Sequence, residues 1–270
     1  MTRSRAFWIG TAMLLLVAAA GLFADWLAPH DPIRNAFRAR FRAPDATYWL
    51  GTDRFGRDVL SRILFGIRVS LRIGLMVVIA SGLLGATIGM AAGWWRQADS
   101  WLMRAIDGLM AFPGILLAIA LAAALGPSEI NAAIALSVAY APRTARVVRS
   151  AVLVTRGQDY VLAAQAVGAS TPRILFHHVL PACLAPLVVQ QTYVFALAVL
   201  AEAVLSFIGV GPPPPAPTLG GIIAEGRDYL VEAPWIGLWP GLVIAWLVLG
   251  LNLLGDGLRD ALDPRMRTTV

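Results

Sequence analysis

Lysine is missing altogether: the 22 Lys and Arg positions of this 270-residue chain are all arginine. A phosphate-binding loop of the Walker A type sets a lysine on the nucleotide phosphates, so a chain with none cannot hydrolyse ATP by that route. Cysteine is almost missing too. A lone Cys183 excludes an internal disulfide and a thiolate metal site, and leaves a buried, inert thiol as its expected role. Charge is scarce, at 14% of residues against 58% hydrophobic, and the mean hydropathy is +0.70. Water is not the main solvent of such a chain. A pI near 10.4 does not indicate nucleic acid, because the arginines flank apolar runs, where they act as interface anchors, and the aromatics show no base-stacking pattern.

About 20 apolar residues at ~1.5 Å rise each cross a ~30 Å hydrocarbon core. Six runs meet that length: Ala6–Ala24, Ile73–Trp95, Gly108–Ser128, Ile130–Arg149, Val179–Ala201 and Ala233–Gly255. The expected fold is therefore an all-α integral membrane protein with six transmembrane helices. Arg143, Arg146 and Arg149 enter the last turns of the fourth run, where they can snorkel to the interface, and Pro142 is expected to kink it. The first run could be a secretory leader, but a leader's apolar region is usually only ~7–15 residues long, so an uncleaved span is expected.

Arginine placement sets the expected orientation. Arg143, Arg146, Arg149, Arg156 and Arg173 lie between spans four and five, whereas the loop from Gly209 to Glu232 has Arg227 alone against Glu225, Asp228 and Glu232. The first of these loops is read as cytoplasmic and the second as external. Counting through the spans then puts both termini in the cytoplasm, with Arg3 and Arg5 at one end and Arg259, Arg265 and Arg267 at the other. The stretch from Arg34 to Arg72 resists the rule, with nine arginines on the outer side. It reads as an arm made irregular by Pro29, Pro32 and Pro44, followed by an amphipathic helix lying along the surface on Leu60, Leu64, Ile67 and Leu71. Four prolines, Pro212 to Pro215, make the loop after span five either a stiff spacer or a rim that meets a partner. The expected division is 1–72, the first span with its arm and interfacial helix, and 73–270, a core carrying a cytoplasmic loop at 156–181.

That loop reads YVLAAQAVGASTPRILFHHVLP from Tyr160 to Pro181. Ala163 and Ala164 ahead of Gly168, then Leu180 and Pro181, allow a helix, a tight turn and a short second helix over Pro172–His178 that Pro181 would end. The spacing resembles the signature loop of bacterial ABC importer permeases. Three further stretches, LGTDRFGRDVLSRILFG (Leu50–Gly66), EAVLSFIGVGPPPP (Glu202–Pro215) and LNLLGDGLRDALDPR (Leu251–Arg265), resemble the peptide and nickel (dipeptide/oligopeptide) branch of that family, in its C-type subunit with an outer arm. AFP at Ala111–Pro113 and APW at Ala233–Trp235 extend the likeness to nearly everything after Asp31. Leu162, where the wider signature is acidic, and Leu219, where the branch usually has tryptophan, depart from the pattern.

The resemblance implies a type I importer (MetI-like) permease core in a bacterial inner membrane. It also implies a homologous sister permease, two ATP-binding subunits that hold ATP and Mg, and an external solute-binding protein. The chain itself would be no enzyme and bind no cofactor or metal. Coupling to the ATPase would fall to Tyr160, Ala163, Ala164, Gly168, Ala169, Ser170, Arg173, His178, Leu180 and Pro181. The arm motif would comprise Gly51, Asp53, Gly56, Arg57, Asp58 and Arg62. Glu202 could line the outer mouth or pair with Arg68 or Arg72; Asp107 is expected to pair with Arg104 or Arg146. Adjacent imidazoles point in different directions on a helix, so His177 and His178 are not expected to hold a metal. An intramembrane protease would need a Ser/His pair or two acids inside the spans, which are lacking. A channel or secondary transporter would need no basic knob for an ATPase. Peptides, nickel, glutathione and opine-like solutes all remain open as cargo.

Overall fold

The computed structural model describes residues 3–262. In chain order these form α1 (Arg3–Leu22), α2 (Ala24–Leu27), α3 (Val59–Trp94), α4 (Arg96–Met110), α5 (Gly114–Leu125) and α6 (Glu129–Arg156). There follow α7 (Asp159–Ala166), α8 (Thr171–Ile174), α9 (Leu180–Phe207), α10 (Leu219–Gly226) and α11 (Trp235–Leu262), with no strand among the described residues. Four stretches are long and apolar enough to cross a membrane: Arg5–Leu22, Val59–Trp94, the joined run Thr171–Phe207, and Trp235–Leu262. The bent pair α4 and α5 makes a fifth if it counts as one span. At 28 residues α6 is long enough, but Arg143 and Arg146 depress its hydropathy and it is not among them.

Lipid supplies no hydrophobic force between helices, so close packing of small residues must hold them together. The seam between α3 and α6 is built this way. Gly85, Gly89 and Gly93 follow one another at four-residue spacing along one face of α3, and Cβ atoms there would come within 2.5 Å of Thr144 Cβ, 2.5 Å of the Ala145 carbonyl and 2.6 Å of Val152 Cβ. The α1–α11 seam works likewise, with Gly10 against the backbone of Gly250 and Leu254, and Gly257 against Phe7. The best apolar stretch of α1 is only 17% buried, against 50% for α3. Its outward Trp8, Leu15, Leu16 and Leu22 are therefore suited to face acyl chains rather than protein.

Three expected elements came out differently. The surface helix at Leu60–Leu71 is instead the beginning of α3: nothing between Val59 and Trp94 breaks a helix, Ile63 and Ile67 are buried against α1, α9 and α10, and Leu64 is buried as well. Span three is no straight run. Pro113 lacks an N–H and pushes Phe112 out of the helical region, so the chain turns by 87° between α4 and α5. Pro181 does not end the short helix after Gly168. A π-helical turn, Leu175–Val179, carries α8 into α9, and the wider turn accommodates a proline in the first turn of α9. Pro142 likewise sits inside an unbroken α6.

Buried side chains gather in three clusters along the bundle. One joins α3, α5, α6 and α9 around Ile73, Leu136 and Leu205. A second ties α1, α10 and α11 to α3 and α9. The third, around Val148, Val161, Ile174 and Cys183, sits at the end where α3 and α6 finish and α9 begins. The arm and α10 occupy one end of the bundle; α7, α8, the start of α1 and the end of α11 occupy the other.

Candidate coupling segment and outer arm

The segment after α6 turns at Gly157 and runs through α7 to a second turn at Val167–Gly168. Gly168 has φ +80°, a conformation an L side chain rarely adopts. The turn is closed by two bonds, Ala169 N–H to the Ala164 carbonyl and Gly168 N–H to the Gln165 carbonyl, both 3.0 Å. This is the paired pattern of a Schellman C-cap, which satisfies the last carbonyls of α7. No heavy atom lies within 4 Å of a Cβ built at Gly168, so backbone conformation alone demands glycine within this chain.

The segment is anchored from beneath and open above. Val161, Ile174, Leu175 and Val179 are buried with Cys183 in the third cluster, while Tyr160, Leu162, Phe176 and Val167 project outward, Val167 at 83% exposure. Ala163, Ser170, Arg173 and Pro181 are exposed, and Ala164, Ala169, His178 and Leu180 are half-buried. The Tyr160 and His178 rings lie 6.2 Å apart and hold α7 beside the π turn. Arg156 donates to the Trp94 carbonyl at 2.9 Å, tying the base of the segment to the end of α3. Among the described residues no group of three potential metal ligands occurs.

At the opposite end the arm folds around Asp53, which is 1% exposed. One carboxylate oxygen accepts from the Phe55 and Arg57 N–H groups at 2.8 and 3.0 Å; the other accepts from the Arg57 and Arg62 guanidiniums, both at 2.6 Å. Both arginines also reach Glu225 on α10, Arg62 with two bonds of 2.9 and 3.1 Å. Asp58 caps α3, accepting from the Ser61 N–H at 3.0 Å. Gly51 and Gly56 have φ +78° and +76°, and a Cβ at Gly56 would overlap the Ala36 carbonyl, 1.9 Å away. Trp235 donates to the Thr52 carbonyl at 3.0 Å, which fastens the arm to α11. In the arm's outer turn the Tyr48 N–H, helped by Thr47 and Arg42, holds the Asp45 carboxyl below its ordinary range.

Glu202 neither lines the outer mouth nor meets an arm arginine. It is fully buried between α3 and α9 and accepts from Ser70 at 2.6 Å and Ser206 at 2.7 Å. The arginines proposed for it point elsewhere: Arg68 pairs with Asp25 and Arg72 with Glu129. Asp107 pairs with Arg146, not Arg104. Glu225 was missed by the reading of the sequence, as was Asp99, which takes a two-pronged bond from Arg149 at 2.5 and 2.7 Å. With 16 acids against 22 arginines most acids have a cation to meet, but nothing in the sequence says which arginine each one meets.

The family model described as "Binding-protein-dependent transport system inner membrane component" matches residues 82–268, and the "N-terminal TM domain of oligopeptide transport permease C" matches residues 1–44. A putative peptide transport system permease protein of Brucella suis is 53% identical over 99% of this chain and 90% of its own length. A dipeptide transport system permease protein of Alkalihalophilus pseudofirmus is 41% identical over 96% of this chain and 86% of its own. A glutathione transport system permease protein of Pectobacterium atrosepticum matches at the same 41%, over 96% and 86%.

Proposed function

The chain belongs to the binding-protein-dependent transport system inner membrane component family, and from that premise we propose that it is one of two homologous permease subunits lining a pathway for short peptides. It is a permease subunit of an ABC importer, and ATP is hydrolysed on separate subunits. We read the α7–α8 segment as the part that a motor subunit, with its ATP and Mg, grips and moves. The observation carrying this is the construction of that segment. A glycine-closed turn lifts exposed Val167 and Phe176 clear of a base fixed by Val161, Ile174 and Val179. A rigid foot under an open apolar surface transmits a push from a partner without dissolving the bundle.

The segment's end of the bundle is taken as cytoplasmic, and with it both termini. Arg143, Arg146, Arg149, Arg156 and Arg173 lie towards that end, as the positive-inside rule asks. The arm's nine arginines argue less strongly the other way than they did from sequence, because five of them (Arg42, Arg57, Arg62, Arg68 and Arg72) are paired with carboxylates. The arm with α10 then forms the outer surface onto which a solute-binding protein delivers cargo.

The pathway is assigned to the groove of about 480 Å³ between α4, α6, α9 and α11. Gln190, Tyr193, Asn252, Arg143 and Arg146 give it polar points among apolar residues such as Leu197 and Val248, and the sister permease would close its open side. Alternating access follows when the motor dimer closes and drags the segment inward, so that the spans rock to face the outside. Peptide is the solute class that the names of the relatives given above support.

Cys183 is buried, so Val167→Cys supplies a single accessible thiol. In the assembled complex it is expected to cross-link to a cysteine on the ATPase surface and to resist a membrane-impermeant reagent added from outside. Labelling from outside would overturn the orientation and the coupling role together.

A further inference from the structure

Beside the Asp53 network, the arm, the turn after α9, the proline run and α10 enclose a cavity of about 560 Å³. Four arginines face it, Arg54, Arg57, Arg62 and Arg227, against Glu225 and Asp228. Arg57 and Arg62 are held by Asp53 and Glu225, two cations by two carboxylates. Arg227 has Asp228 beside it at 3.3 Å. Arg54 has no carboxylate partner among the described residues. Its guanidinium lies 4.5 Å from the Phe55 ring centre and its buried Nε has no hydrogen-bond partner.

An unmatched guanidinium in a recessed pocket is a ready acceptor for a carboxylate, since charge-assisted, two-pronged bonds are the strongest this side chain forms. The wall opposite offers little competition. Pro212 to Pro215 carry no N–H, and the Ser206 hydroxyl is committed to Glu202. The volume lies within the range of small-molecule sites and far exceeds what one acidic side chain of a docked protein would fill.

We infer that this cavity is a subsite for the carboxylate of the transported solute, with Arg54 as its ligand. The inference rests on the reading of the chain as a peptide permease, and gives that reading a chemical requirement: cargo enters with a free carboxylate at the outer mouth. Phe55 beneath the guanidinium and the neighbouring Asp53 network fix the position of Arg54, so the charge is presented rather than searching.

The test uses the complete importer in proteoliposomes with two probes, dialanine and its C-terminal amide. Any preference of the solute-binding protein between the probes cancels when variant is compared with wild type. Arg54→Gln is expected to cut dialanine uptake about tenfold relative to the amide, and Arg54→Lys to recover a good part of the preference. Equal loss of both probes makes Arg54 a docking or structural residue, and unchanged dialanine uptake makes it inert; either result overturns the inference while leaving the peptide-permease reading intact. A wild-type complex that moves neither probe overturns both.

Discussion

Replacing Gly168 by asparagine, alanine and valine separates two reasons for its being glycine. The left-handed conformation costs an ordinary L residue about 1–2 kcal/mol, a factor of roughly 5–30 in the population of the closed turn. Asparagine visits that region far more readily, and a β-branched valine is the worst fit. No atom of this chain lies within 4 Å of the added Cβ, so steric overlap inside the subunit contributes nothing. Conformation therefore predicts uptake in the order Gly, Asn, Ala, Val, with membrane insertion unchanged, because the turn lies beyond the buried clusters. Crowding against an ATPase would predict an order by size, with alanine ahead of asparagine. Uptake of a labelled dipeptide in cells, normalised to the amount of subunit in the membrane, reads the order directly. Alanine outperforming asparagine would refute the conformational argument, and full uptake with valine would refute a coupling role for the turn.

Asp53→Asn leaves Arg57 and Arg62 sharing Glu225 as their one carboxylate, so one cation in a site where Asp53 is 1% exposed goes uncompensated; a loss of about 3–5 kcal/mol is expected, seen as a lower unfolding temperature of the detergent-solubilised complex. Asp107 and Arg146 form a surface pair, 60% and 47% exposed, worth ~0–1 kcal/mol. Reversing both charges should therefore restore whatever transport either single reversal removes; failure of the double variant would show that the residues act separately.

Most of the bundle was legible because hydrocarbon thickness imposes itself on sequence. Runs such as Ile73–Trp95 and Ala233–Gly255 lie within α3 and α11 but for Trp95 at one end and Ala233 and Pro234 at the other. The same criterion hid helix length, since it measures the apolar slab and not the helix: the first fourteen residues of α3 carry Arg62, Arg68 and Arg72, so no uncharged run extends over them. Proline was ambiguous for a physical reason. Pro113 follows a position free to unwind and breaks the chain, whereas Pro142 and Pro181 sit where the helix carries on around the missing N–H. Gly168 was readable as a turn from its neighbours alone. Glu225 was not, because its partners lie 163 and 168 positions away and only tertiary structure joins them.

At 36 residues, α3 is about 54 Å long. It starts at the cap that ends the arm and finishes against the arginine that braces the coupling segment, with no break between. A rod of that kind is a lever: a tilt of only ~5° about one tip carries the other through roughly 5 Å. Its glycine seam seats it directly on Thr144, Val148 and Val152 of α6, so such a swing would carry α6 with it. On the orientation proposed above, a solute at the arm and an ATPase at the opposite end would thus act on one another through a single helix.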